Sequence, residues 1–290
     1  MEDNPGDAKL VRIALSDRSE PRLEVVHAVT LAAALPIALR GDCDVVLLDL
    51  SLPDSAGLGG LRDLALAVPR TPILILSGLD DEAMALQAMR HGAQDYLVKG
   101  AAVGLARVIR MAIERKVFEA GLAERANFDQ LTGLVNRTLF GDRLAHALSR
   151  AKRRGERVAL LYIDLDGFKA INDTFGHAAG DEVLRLTADR FRAAVRESET
   201  IARIGGDEFT ILIEALSDAA AAVKAAERIL EALRAPLSVA EDEVRVTSSI
   251  GIALFPDHAR DGDALIRHAD AAMFWAKKAG RNNVRFFSDS

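Results

Sequence analysis

The chain has 290 residues, half of them hydrophobic and 28% charged, with a formal net charge of −6; that length favours two domains, each able to bury a core. Neither half has the basic excess that phosphate-backbone binding needs, which argues against a nucleic-acid partner. Apolar runs such as LAAALPIAL (31–39) are too short to cross a bilayer, the acidic start is wrong for a secretory leader, and Cys43 stands alone, so a reducing cytoplasm without membrane attachment is expected.

The chain opens MEDNPGDAKL. Asn4 is a good N-cap, Pro5 suits the first helical position, and Leu10, Val11, Ala14 and Leu15 supply one helix face. The alternative makes VRIAL (11–15) a strand leading to an acid pocket at SDRSE (16–20), but it puts Arg18 among the acids. DVVLLDL (44–50), TPILILS (71–77) and DYLV (95–98) are nearly continuous in apolar residues, the pattern of parallel strands covered on both faces. Helical spacing at 57–67 and 80–91 completes a β-α-β-α order, hence a doubly wound α/β fold. A helical stretch follows from Ala101 to about Ala126, with Leu105, Val108, Ile109, Ala112 and Ile113 on one stripe. Its polar end, ERKVFEAGLAERA, reads as a linker or equally as a short coiled-coil seam. The expected divisions are a first domain over 1–118, a helical linker over 119–126 and a second domain over 127–290.

In open α/β sheets, ligands sit beyond the carboxyl ends of the strands. Asp49, Ser77 and Lys99 close three successive strands, and the acid pair Glu2–Asp3 stands at the chain start. Three carboxylates, a hydroxyl and an ammonium together suit phosphoryl transfer. The acids hold Mg²⁺, Asp49 attacks a phosphoryl group, and Lys99 helps to neutralise the product. LLDLSLPDSAGL around Asp49, ILSG at Ser77 and GAQDYLVKG at Lys99 resemble the receiver domain of bacterial response regulators over roughly residues 1–118. The resemblance implies phosphotransfer from a cognate histidine kinase to Asp49, a Mg²⁺ site at Glu2, Asp3 and Asp49, and Ser77 and Tyr96 as switch residues beside Lys99. Gly100 follows that lysine where many relatives have Pro. In receivers the acid pair ends the first strand, so this chain is expected to lack that central strand, through a misassigned start, with LEVVHAV (23–29) as strand two.

The second half begins near NFDQLTGLVNR (127–137), followed by a helix and the strand RVALLYIDLD (157–166). Helical stretches cover 168–175 and 181–196, a hairpin runs through TIARIGGDEFTILIE (200–214), and a helix covers 217–234. VRVTSSIGIALF (244–255) alternates as a half-buried strand does, and a last helix spans 263–279. Hairpins mixed with helices point to an antiparallel-rich α+β domain. Asp164 and Asp166, two apart, project from one face of their strand, and the hairpin brings Asp207 and Glu208 to a glycine turn. If the hairpin lies beside strand 157–166, these acids converge on divalent metal. That cluster suits attack of a hydroxyl on phosphorus with pyrophosphate leaving.

FDQLTGLVNR, DLDGFKAINDTFGHAAGD, RIGGDEF and AKKAGRN, in this order, resemble the GGDEF family of diguanylate cyclases over residues 127–290, a nucleotidyl-cyclase-like α+β fold. The resemblance implies condensation of two GTP to cyclic di-GMP by a homodimer, each domain holding one GTP. Asp164, the Leu165 carbonyl and Asp207 would hold Mg²⁺ (or Mn²⁺) with Glu208 assisting, and Asp207 is the usual base for the 3′-hydroxyl. Asp166 is a hydrogen-bonding support and not a ligand. Phe168 and Lys169 offer helix-start N–H groups to a phosphate, with the Lys169 ammonium near the transition state. Lys277 and Arg281, four apart on one helix face, would clamp the β and γ phosphates. Asn172 and Asp181 would read guanine, whose paired donors match a carboxylate; His177 touches substrate or stabilises its turn. Relatives bind product at an RxxD motif, which here reads RESE, giving Arg196 and Glu199, with Arg228 as a second guanidinium. An exposed helix end with solvated charges is the equal alternative there. The rival to the enzyme is a catalytically silent protein that binds GTP or cyclic di-GMP and acts through protein contacts.

Overall fold

The computed structural model describes residues 1–15, 23–78, 82–99, 104–239 and 242–288. Its internal contacts divide the chain into two units, Met1–Leu122 and Ala123–Ser290.

The first unit opens with α1 (Pro5–Leu15), where the Asn4 side-chain oxygen accepts the Gly6 N–H at 2.8 Å, as the Asn-Pro start predicts. Residues 11–15 are thus helical, which removes the alternative strand; 16–20 lie outside the described residues. The apolar run becomes α2 (Leu31–Leu39), a helix that periodicity did not reveal, with Pro36 inside it. Its start is capped twice, by the Thr30 hydroxyl and by Asp54, whose carboxylate accepts the Leu31 and Ala32 N–H groups at 2.9 Å each. Next come β1 (Val46–Asp49), the small pair β2 (Ser51–Leu52) and β3 (Ser55–Ala56), and α3 (Gly59–Ala67). β4 (Ile73–Ser77), α4 (Glu82–Arg90) and β5 (Asp95–Val98) follow, and α5 (Leu105–Asn127) begins in this unit and runs past its last residue, Leu122.

β1, β4 and β5 pair in parallel in that spatial order. β4 is buried throughout, and its side chains alternate between two cores. Ile73 and Ile75 meet Leu31, Ala38, Leu61, Leu64 and Ala88 from α2, α3 and α4. Leu74 meets Leu15, Leu105, Ile109 and Ala112 from α1 and α5.

Leu23–Ala28 is not a strand, contrary to the expectation for LEVVHAV. Met1 makes one step of a parallel ladder beside β1, its amino group on the Leu47 carbonyl at 2.7 Å and its carbonyl accepting the Asp49 N–H at 3.1 Å. On the other side the Glu2 N–H reaches the Ala28 carbonyl at 3.0 Å. The remaining length of 23–27 borders a groove of about 760 Å³, lined also by Val45, Leu47, Leu76 and Ile109. A segment that faces open space has no edge to pair with, so no ladder forms.

The second unit runs α6 (Arg137–Arg154), β6 (Arg157–Asp166), α7 (Phe168–Phe175), α8 (His177–Ala194), β7 (Thr200–Gly205), β8 (Glu208–Leu216) and α9 (Ala219–Ala232). It continues with β9 (Leu237–Val239), β10 (Asp242–Val244), β11 (Thr247–Phe255), α10 (Gly262–Lys278) and β12 (Val284–Phe286). α8 starts at His177, four residues before the expected 181, because Gly176 at φ +84° separates it from α7. The β9–β10 hairpin and β12 are too short for periodicity to reveal. The five-stranded sheet has the order β12-β11-β6-β8-β7, antiparallel except for β12 against β11.

β6 is the central strand, and its alternation sorts the domain. Ala159, Leu161, Ile163 and Leu165 face α8 and α9, meeting Val183, Phe191, Ala226 and Ile229. Val158, Leu160 and Tyr162 face α6 and α10, meeting Phe140, Leu144, Leu265 and Met273. Asp164 and Asp166 share the parity of Tyr162, so the strand delivers both acids to the α10 side.

α10 lies so close on β11 that a Cβ at Gly251 would stand 2.0 Å from the Ala269 carbonyl oxygen and 2.1 Å from the Met273 nitrogen. Both are backbone atoms and cannot rotate away. Gly251→Ala is therefore expected to destabilise the second unit by roughly 3 kcal/mol or more, read from its urea unfolding midpoint. A loss below about 1 kcal/mol would mean that α10 is free to shift outward.

Candidate functional site

In the second unit, pairing of β6 with β8 sets Asp164 directly opposite Glu208, and the β7–β8 turn carries Asp207 beside them. The Leu165 N–H donates to the Asp207 carbonyl at 3.3 Å, tying the end of β6 to that turn. The conditional expectation from the sequence, that the hairpin lies beside 157–166, is thereby met. Asp164 is buried, and Lys277 from α10 places its ammonium 2.6 Å from the carboxylate. Burial raises the Asp164 carboxyl, the Lys277 hydrogen bond opposes it, and the Asp207 and Glu208 charges add to the rise, leaving it at about 6. Among the described residues, the ammonium that stands against these acids is that of Lys277, and it meets Asp164.

Tyr162, two residues before Asp164, donates its hydroxyl to Glu208 at 3.0 Å. Sequence reasoning missed it, although strand parity places it on the same face as Asp164. Asp166 faces β11 and the loop after α10: it accepts the Thr247 and Ser249 hydroxyls at 2.7 Å each and the Asn282 N–H at 3.0 Å.

The glycine turn is clasped by Arg203 of β7, which Asp129, ahead of α6, holds in turn. Arg203 donates through Nε and Nη2 to the Gly206 carbonyl at 2.9 and 2.8 Å, and through Nη1 to both oxygens of Asp129 at 2.9 and 3.1 Å. Asp129 also accepts the Thr132 N–H and hydroxyl at 2.9 and 2.7 Å. Burial alone would raise the Asp129 carboxyl, but the Thr132 and Arg203 bonds outweigh it and hold it below the usual carboxylate range. FDQLTGL and RIGGDEF, far apart in the chain, thus meet in one charge-assisted pair.

Lys277 and Arg281 do not share a helix face as expected. α10 ends at Lys278, Gly280 turns the chain at φ +108°, and Arg281 lies beyond at φ +58° with its N–H on the Ala276 carbonyl at 3.2 Å. That bond, five residues back, belongs to a helix stop, so Arg281 leaves the helix axis. Phe168 is buried in the core, leaving its backbone as the part that faces outward; among the described residues, no side chain caps the start of α7. Lys169, His177 and Asp181 are exposed and Asn172 is half-buried, all on α7 or α8. Gly180 leaves room for Asn172, because a Cβ there would stand 1.8 Å from its side-chain oxygen.

The RESE segment is arranged differently from an open anion site. Glu199 accepts Arg228 through both oxygens at 2.9 and 2.7 Å, and also the Arg196 N–H at 2.8 Å, while Arg196 itself is exposed.

In the first unit, the side-chain oxygens of Glu2, Asp3 and Asp49 lie within 4.8 Å of one another. Lys99 joins Glu2 and Asp49 at 2.7 Å each, and also Asp7 on α1 at 2.9 Å. Asp7 was not foreseen; it lies in the first turn of α1. Burial opposes ionisation of Asp49, but the Lys99 and Ser51 hydrogen bonds lower it overall. Ser77 is buried at the end of β4, and its carbonyl accepts the Lys99 N–H at 2.7 Å. Tyr96 is half-buried and packs against the β1–α3 core. Among the described residues, no helix is long and apolar enough to cross a membrane.

Residues 126–283 match the family described as diguanylate cyclase, GGDEF domain, and residues 1–109 match the response regulator receiver domain. The chain is similar to the response regulator PleD of Caulobacter vibrioides, 33% identical over 300 residues that span 98% of this chain and 64% of PleD. It is similar to the diguanylate cyclase TpbB of Pseudomonas aeruginosa, 46% identical over 167 residues that span 57% of this chain and 38% of TpbB. The chain thus spans less than two thirds of the length of these curated relatives. Among solved structures, the coiled coil and GGDEF domain of DgcB from Caulobacter crescentus, in complex with c-di-GMP, superposes with a TM-score of 0.56 at 30% identity. The match covers 62% of this chain and 97% of that one.

The Arg203–Asp129 pair gives a pH signature. A carboxyl lowered in the folded state contributes stability above its unfolded pKa of about 3.9, and that contribution is lost as pH falls through the folded value. Asp129→Asn is expected to melt below the wild type at pH 7 and to converge on it below about pH 4. A constant offset across that range, measured by thermal denaturation, would mean that the carboxylate charge is not what holds the turn.

Proposed function

Because the chain belongs to the GGDEF family and carries a response-regulator receiver domain ahead of that domain, we propose that it condenses two GTP into cyclic di-GMP, with release of pyrophosphate, under control of phosphorylation at Asp49. The observation that carries the reading is the intact acid set, Asp164 opposite Glu208 with Asp207 at the turn and the Lys277 ammonium on Asp164. Asp164, the Leu165 carbonyl and Asp207, with Glu208 assisting, would hold Mg²⁺ or Mn²⁺, which when bound would lower the charge on the reacting phosphate and acidify the attacking hydroxyl. Tyr162 keeps Glu208 oriented toward that place.

Asp207 accepts the 3′-hydroxyl proton as the oxygen attacks the α-phosphorus of the opposing GTP, and pyrophosphate leaves. Lys169 and the first N–H groups of α7 stabilise the phosphate charge. Lys277 exchanges Asp164 for the triphosphate and, with Arg281, holds its outer phosphates. Asp181 accepts the two adjacent guanine donors with Asn172 beside it, and adenine would leave the carboxylate unpaired. Each domain holds one GTP, so two copies must face each other. The α5 residues Val117, Phe118 and Leu122, 67%, 67% and 50% exposed, support pairing of copies along that helix. Pairing raises the effective concentration of the opposing domains.

In the receiver, Glu2, Asp3 and Asp49 would take Mg²⁺, and a histidine kinase supplies the phosphoryl group to Asp49. Lys99 then moves from carboxylates to phosphoryl oxygens, with Ser77 and Tyr96 following.

With Mg²⁺ and GTP, the full chain is expected to release pyrophosphate and cyclic di-GMP, and Asp207→Asn to lower the rate by about 100-fold or more. A dimer of confirmed mass that forms neither product supports the silent GTP-binding alternative. Asp49→Asn should keep basal turnover and lose the gain from a phosphoryl donor such as acetyl phosphate. Gly180→Ala should raise the GTP KM by about 10-fold through displacement of Asn172, with little change in melting temperature.

A further inference from the structure

Asp166 ends β6 two residues after Asp164, and its carboxylate is taken up by β11 and the loop after α10. One oxygen takes the hydroxyl of Ser249, which is fully buried, and the other takes the Thr247 hydroxyl and the Asn282 N–H. Thr247 lies directly opposite Asp166 across the β6–β11 pair, and Ser249 directly opposite Asp164. Three donors converge on its two oxygens and hold the rotamer of the carboxylate.

The third donor belongs to the loop that carries Arg281. Arg281 and Asn282 have φ of +58° and +47°, a left-handed pair that is uncommon for a residue such as arginine. Hydrogen bonds are present on both sides of Arg281. Its N–H reaches the Ala276 carbonyl at 3.2 Å, and its carbonyl accepts the Asn283 side chain at 2.8 Å. The same Asn283 amide donates to the Ala276 carbonyl at 2.9 Å, and its own backbone carbonyl accepts the Ile250 N–H at 3.0 Å. The next amide after Arg281 is the one that Asp166 takes.

We propose that Asp166 is a positioning residue for Arg281: through the Asn282 N–H, the end of β6 sets the loop that presents the guanidinium to the outer phosphates of the nucleotide. The same strand end carries Asp164, so the metal-binding carboxylate and the phosphate cation are held in one frame. Thr247 and Ser249 aim the carboxylate that does this. The inference rests on the reading of Arg281 as a triphosphate ligand.

The test compares equilibrium binding of a non-hydrolysable GTP analogue with that of GMP, on the full chain, alongside Mn²⁺ binding without nucleotide followed by electron paramagnetic resonance. Asp166→Ala is expected to weaken the analogue by about 10-fold while GMP changes less than about 2-fold and Mn²⁺ binding stays unchanged. Asp166→Asn should recover most of the loss, because its carboxamide oxygen can keep the Asn282 bond while the Ser249 hydroxyl rotates to accept. Arg281→Ala should show the same triphosphate-selective loss, and the double variant should be no worse than Arg281→Ala alone. If Asp166→Ala does not fold, Thr247→Val combined with Ser249→Ala carries the same comparison. Equal losses for the analogue and GMP, a loss of Mn²⁺ binding, or additive effects of the two substitutions would each overturn the proposal. An Arg281→Ala chain that binds the analogue normally would overturn the phosphate reading, and the proposal with it. A selective loss in Arg281→Ala that is absent in Asp166→Ala would overturn the positioning role alone.

Discussion

A buried carboxylate ends a strand in each unit, Asp49 on β1 and Asp164 on β6, and a lysine ammonium stands against each. Lys277 stands 2.6 Å from Asp164, and Lys99 stands within 2.9 Å of Glu2, Asp7 and Asp49. Removing a carboxylate from water is costly unless charge and hydrogen bonds are restored, so each lysine stabilises a cluster that would otherwise repel itself. The restoration is incomplete in the second unit, where Asp164 still sits at about 6. That remaining deficit of positive charge is the electrostatic form of the proposed metal and triphosphate site.

The scaffold around this cluster keeps the acids from moving apart. β6 is paired on both edges, and its last residues are tied three ways: Leu165 to Asp207, Tyr162 to Glu208 and Asp166 to β11 and the Asn282 loop. The turn that bears Asp207 is clasped by Arg203, which is itself fixed by Asp129. Charged groups thus rest on paired strands and charge-assisted pairs, the preorganisation that the proposed condensation would use.

Much of this was legible in the sequence, and the misses share a cause. The α/β order of the first half, the central strand 157–166, the hairpin and the principal acids follow from local periodicity and glycine placement, which act over a few residues. Leu23–Ala28 failed as a strand because pairing depends on a neighbouring edge, which β-branched composition alone does not supply. Arg281 left the helix because Gly280 and the stop bond to Ala276 overrode the i, i+4 spacing with Lys277. Glu199 closed onto Arg228, a pairing of two residues 29 apart that no local pattern announces.

By itself, the sequence determined which residues carry charge, which strands they terminate and which family they belong to, because those depend on composition and short-range order. Only the tertiary structure decided which polar groups meet: Asp7 with Lys99, Tyr162 with Glu208, Asp129 with Arg203 and Asp166 with the Arg281 loop. Ion pairs and hydrogen bonds act over about 3 Å. Chain folding, and not spacing along the sequence, brings such partners within that reach.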